Sequence, residues 1–151
     1  MKGQISTELL VIVALVLLIF IPLLVLVYFK ANEANDQIAA YQAELSVSRI
    51  ASLANSVGSL GTNTSVITDV FIPPNTVLLQ TQTSAGARAS EISLTMETPQ
   101  GHTTPVVEII KYPVSEPGVL ADSSNAGGWI RVRISSEYEG NVAKVKIEKV
   151  G

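Results

Sequence analysis

No cysteine occurs in the 151 residues. That removes disulfide frameworks, thiolate nucleophiles and cysteine-ligated zinc together. Histidine is nearly as scarce. His102 is the only one, and it stands in PQGH, a turn between two strand-like segments. It has neither the companion ligands that zinc requires nor a nucleophile beside it to activate. Positive charge is thin as well: the net charge is −3, distributed as +1 over residues 1–30, −2 over 31–60 and −2 over 61–151. No basic stripe for nucleic acid results. The glycine-containing stretches GSLG and GGW lack the lysine and the strand-to-helix setting of a phosphate loop. Glu137 and Glu139 are a pair of acids, but they flank a hairpin, where strand-end charges are expected without glycoside chemistry. These absences predict a protein that is not an enzyme, carries no metal or other cofactor, and does not bind nucleic acid.

What the chain has in excess is apolar surface. Its hydrophobic fraction is 47%, and the excess sits mostly in the first thirty residues. From Leu9 to Phe29, 21 residues run without a charge, interrupted only by Pro22. As a helix this run measures roughly 32 Å at 1.5 Å per residue, matching a hydrocarbon core of about 30 Å. A cleaved secretory signal has a shorter apolar stretch, about 7 to 15 residues, and small residues at its cut site. Here YFKANEANDQ follows, so the segment reads as a retained span.

Glu8 stands at the threshold of this run. A carboxylate at the bilayer centre costs about 2.5–3.5 kcal/mol, less at a helix end, while each Leu, Ile or Val behind it favours insertion by about 0.3–0.6 kcal/mol. Insertion therefore survives the acid. On geometry alone Glu8 can rest in the headgroup layer, with Ser6 or Thr7 as cap, against the positive end of the helix dipole.

The opening residues also resemble a known family. Lys2, Gly3, Gln4, Ser6 and Glu8 match at all five positions the class III signal peptide of archaeal type IV pilin-like proteins, a short basic leader ending in Gly before a mature start Q-x-S-x-E and a hydrophobic helix. The resemblance implies that a prepilin peptidase cuts between Gly3 and Gln4 on the cytoplasmic side and that the apolar helix stays in the mature chain. It implies that an assembly ATPase and a membrane platform then polymerise the subunit with copies of itself. It also gives Glu8 a partner, the new terminal amine of Gln4 in a neighbouring subunit. Two such charges at 4 Å in an effective dielectric near 20 attract by about 4 kcal/mol before desolvation. Pro22 lies a few residues earlier than the helix-breaking proline of the bacterial relatives, so no extension mechanism tied to that proline carries over.

Beyond Lys30 a proline-free, alanine-rich stretch extends the helix to residue 60. Its larger apolar residues form two groups at helical spacing, Ile38, Tyr41 and Leu45, then Ile50, Leu53, Val57 and Leu60, rotated by about a quarter turn. Either the first face meets neighbouring subunits and the second the chain's own head, or one wide stripe serves a single domain. Gly58, Gly61 and TNTS are expected to end the helix.

From Ser65 the period becomes two. Six strands are expected: SVITDVFI, TVLLQTQ, SEISLTMET, VVEIIKY, WIRVRISSEY and VAKVKIEKV, with EGN at 139–141 a tight hairpin. The longest connection, 112–128, is expected to be exposed and to vary. Asn63 in N-T-S is an N-glycosylation acceptor if the head is extracellular. Trp129 and Tyr138 can make a ligand platform or simply belong to the sheet.

The expected architecture is α+β: a leader over 1–3, a long N-terminal helix over 4–60 and an antiparallel β-sandwich-like head over 61–151, as in type IV pilins. The expected function is a structural subunit of a cell-surface pilus-like filament, membrane-inserted before assembly and serving adhesion. The alternative is a membrane-anchored extracellular binding module that does not polymerise.

Overall fold

A computed structural model describes residues 2–83, 88–98 and 101–150, and of residues 2–6 the backbone alone. Helix α1 covers Lys2–Leu60, and seven strands follow: β1 Ser65–Phe71, β2 Thr76–Gln82, β3 Ser90–Glu97, β4 Thr103–Ile110, β5 Val119–Asp122, β6 Trp129–Glu139 and β7 Val142–Lys149. The chain divides into two compact units, residues 1–37 and 38–151.

The first unit is helix alone. Its large apolar side chains from Leu9 to Phe29 are 45–72% exposed. A helix that is apolar all round has no solvent-facing side and is stable only in lipid or under a cover of other chains. By length and composition it is apolar enough to cross a membrane. Pro22 lies inside it; lacking an N–H, it leaves the carbonyl four residues back without its helical donor. Charge resumes where the run ends, with Lys30 and Glu33 paired at 2.7 Å.

In the second unit the helix acquires a buried stripe. Ala39, Ala43, Val47, Ile50, Ala54 and Val57 are all buried, at the three- and four-residue spacing that keeps side chains on one face. The Ser46 hydroxyl lies 2.7 Å from both the Gln42 and the Phe71 carbonyls. Its single O–H serves one or the other, and the second contact ties the helix to the end of β1.

The two expected apolar groups separate here. Ile50 and Val57 are buried and Leu53 half-buried, while Ile38, Tyr41 and Leu45 stand exposed. Leu60 departs from its group and is exposed. It is the last helical residue, where Gly61 turns away at φ 90°.

Gly58 does not end the helix as expected. It is buried within α1, and a Cβ there would lie 2.4–2.8 Å from the Tyr112 ring. Its missing side chain makes room for an aromatic ring, so its use is packing, and Gly61 alone supplies the left-handed stop. Gly58→Ala is accordingly expected to destabilise the head by about 1–3 kcal/mol. Equilibrium unfolding followed by circular dichroism measures this; unchanged stability would mean the ring yields freely.

The strands form two antiparallel sheets, β1-β6-β7 and β4-β3-β2-β5. Alternation sends Val70, Ile130, Val132, Ile134, Val145 and Ile147 of the first sheet, and Leu79, Ile92, Leu94 and Leu120 of the second, into one core shared with the helix stripe. Pro105 sits in β4, at a sheet edge, where a missing N–H is tolerated. The β6–β7 hairpin closes as expected, with Glu139 opposite Val142 and Gly140 at φ 65° in the two-residue loop.

The segment 112–128 corrects the expectation of a free, exposed connection. It contains β5, which pairs with β2, and it buries Val114, Leu120 and Ala121. Val114 also bridges to Val145, and its N–H donates to the Ser90 hydroxyl at 2.7 Å. Asp122 ends β5 and caps the following 3-10 turn by accepting from the Ser124 N–H and hydroxyl, which holds its carboxyl below the usual range. A four-residue strand is too short to show alternation among Pro, Gly and Ser.

Candidate functional site

The first element is Glu8, which lies in the second turn of α1 because the helix begins at Lys2, ahead of the expected Ser6 or Thr7 cap. Glu8 is exposed on α1, beside Thr7, Val11 and Ile12, which with it line a depression of about 400 Å³. Among the described residues no cation pairs with it. Lys2, Gly3, Gln4 and Ser6 belong to the α1 backbone or its first turn, and their side chains lie outside the described residues, as does the chemistry of the expected cut between Gly3 and Gln4.

A second element is the exposed face of Ile38, Tyr41 and Leu45. With Gln42, Glu44 and Ser48 they line a shallow groove of about 500 Å³ on the outside of the helix, away from its buried stripe.

The third element lies on the outer face of the three-stranded sheet. In the β1–β6 register Phe71 faces Trp129 and Asp69 faces Arg131. Residues two apart on a strand share a face, so the aromatic pair and the ion pair are neighbours. The two rings meet edge to face, centroids 5.4 Å apart at 61°, a preferred arrangement for aromatic quadrupoles. Arg131 Nε donates to Asp69 Oδ1 at 2.9 Å, and the carboxylate holds the guanidinium pKa above its ordinary value. Asp69, Trp129, Ile130, Arg131 and Val150 line an open depression of about 660 Å³.

Comparison with protein-family models, with curated proteins and with solved structures finds no match. The functional reading therefore rests on the chain's own residues.

Trp129 and Tyr138 do not form a platform together. Both are exposed, at 69% and 53%, but nine residues of strand separate them by about 30 Å and their positions have opposite parity. The partner of Trp129 is Phe71, which lies almost sixty residues earlier and gives no local signal of the pairing. Glu137 faces Lys144 across the hairpin, and Glu139 accepts a hydrogen bond from the Lys144 ammonium, which lowers its pKa. These acids are engaged in strand pairing. Farther along the same face Lys146 bridges Glu116 and Glu148, its pKa raised first by the Glu116 bond.

His102 is exposed in the β3–β4 turn, where its backbone N–H and carbonyl engage Thr98. Among the described residues no group of three His, Asp or Glu is placed to hold a metal ion. Asn63 is exposed in the turn between α1 and β1 with φ 63°, a conformation asparagine accepts readily. The next residue, Thr64, accepts at its carbonyl from the Ser136 N–H. The acceptor side chain thus lies on an ordered, accessible turn.

Proposed function

We propose that the chain is a structural subunit of an extracellular archaeal type IV pilus-like filament. A prepilin peptidase removes Met1–Gly3, the helix anchors the subunit in the membrane, and an assembly ATPase with its membrane platform then polymerises it. The β head forms the outer surface of the filament and makes its adhesive contacts. Its role is structural, with no reaction catalysed.

The observation that carries this reading is Glu8, an acid on a helix whose large apolar side chains from Leu9 to Phe29 are all exposed. Such a helix needs an apolar cover, which lipid supplies before assembly and, on this reading, other helices supply after it. Under that cover an unpaired carboxylate is strongly unfavourable, and the terminal amine created at Gln4 of a neighbour satisfies it. The pair then sets the axial register between subunits, while apolar packing supplies most of the attraction. The exposed Ile38, Tyr41 and Leu45 extend the surface available to neighbouring helices beyond the membrane-length run.

The experiment that tests the proposal is Glu8→Ala. Loss of filaments with the chain retained in the membrane supports a polymerising subunit. An anchored binding module, whose helix stays in the bilayer, would lose nothing by the substitution.

A further inference from the structure

The depression beside Trp129 lies on the outer face of the three-stranded sheet, on strands that follow the N-terminal helix. We propose that it binds a neutral saccharide unit, with the Trp129 indole as its stacking face and the Asp69–Arg131 pair as its hydrogen-bonding edge.

The indole is 69% exposed, and its neighbours restrain it. The Phe71 ring supports it from the side. Just before it in the chain, Gly127 donates to the Ile72 carbonyl at 2.9 Å and Ile72 donates to the Gly128 carbonyl at 2.8 Å. Val150, which also lines the depression, is tied to β6 by its N–H donating to the Arg131 carbonyl at 2.8 Å. An exposed aromatic restrained by its neighbours loses less entropy on binding than a free surface side chain does.

The polar edge is only partly used. The ion pair engages Arg131 Nε and Asp69 Oδ1. Among the described residues, the Arg131 Nη groups, Asp69 Oδ2 and Trp129 Nε1 have no protein partner. The first and last are donors and the carboxylate oxygen is an acceptor. Vicinal hydroxyls, each both donor and acceptor, can satisfy such a mixed edge. A pyranose ring also presents a face of C–H groups with partial positive charge, which suits the negative face of an indole.

Charge narrows the class further. Asp69 and Arg131 cancel, and Arg133 and Glu148 on the same face cancel at 3.3 Å. An anionic polymer or a quaternary ammonium ion therefore meets no net opposite charge, whereas a neutral polyhydroxyl ligand needs none. The volume of about 660 Å³ lies within the range of small-ligand sites.

Trp129 is the sole tryptophan of the chain, so its fluorescence reports on this site alone. The full chain is held in lauryldimethylamine oxide micelles, which carry no sugar headgroup, and titrated with maltose, cellobiose, N,N′-diacetylchitobiose and choline chloride. At least one saccharide is expected to change the emission saturably, with half-saturation on the order of 1 mM. Arg131→Met is expected to raise that concentration about ten-fold, with unchanged circular dichroism, while Lys144→Met at the far end of the face leaves it alone. The inference is overturned by no saturable change at about 100 mM saccharide, by saturation with choline chloride in place of the sugars, or by an unaltered Arg131→Met titration. A fluorescence change that follows protein concentration alone also overturns it, since the occupant would then be a second copy. The unassembled chain is used throughout, so failure here leaves the filament proposal standing.

Discussion

Cells carrying Glu8→Ala are expected to show no surface filaments while the chain still accumulates in their membranes. The substitution removes an acid from the threshold of an apolar run, so it eases insertion. What it would remove from the proposed filament is the partner of a terminal amine. Leaving one member of a buried pair uncompensated costs about 3–5 kcal/mol, which is about two to four powers of ten in the association constant of each added subunit. A polymer multiplies that loss at every step. Glu8→Gln keeps a hydrogen-bonding oxygen but no charge, and is expected to fall between wild type and Ala. Immunoblots of sheared and membrane fractions measure both; wild-type filament yield from Glu8→Ala would contradict the pairing.

Ile50→Ala is expected to destabilise the head by about 2–5 kcal/mol, a large part of the roughly 5–15 kcal/mol that holds a domain together. Ile50 is fully buried, in the stripe where α1 joins the core of both sheets. Leu45, five residues earlier, stands exposed on the same helix. Leu45→Ala is therefore expected to change stability by no more than about 0.5 kcal/mol. Urea unfolding of the full chain in micelles, followed by circular dichroism, compares the two. Equal effects would mean that the helix does not divide its faces as the burial pattern indicates.

That division was partly legible in the sequence. The quarter-turn offset between Ile38, Tyr41, Leu45 and Ile50, Leu53, Val57 is visible from spacing, because large side chains dominate any periodic pattern. The continuation of the buried stripe through Ala39, Ala43 and Ala54 is not, because alanine is as common on exposed helix surfaces as on close-packed ones. Gly58 misled for a related reason. Glycine near a helix end suggests a stop, and nothing local announces that Tyr112, 54 residues on, will lay its ring there.

Strands followed the same logic. Six with clear alternation or apolar runs are readable, and β4 is readable from Val106 but not over its first three residues, Thr103–Pro105, because proline argues against a strand unless the strand lies at an edge. Strand β5 has only four residues and owes its place to β2 and to the anchoring of Val114, both set by tertiary structure. The Trp129 depression was legible only in half. Alternation puts Trp129 and Arg131 on one face, but Phe71 and Asp69 join them through a pairing of strands that are distant in sequence. Glu8, in contrast, is conspicuous in sequence alone, since a lone acid before a long uncharged apolar run stands against its background.

Amino-terminal sequencing of material sheared from the cell surface tests whether this helix passes from lipid into a filament as a processed chain. Filaments are expected whose subunit begins at Gln4, placing Glu8 fifth from the new amine. Surface material that retains Met1–Gly3, or a chain recovered only from membranes, would contradict it.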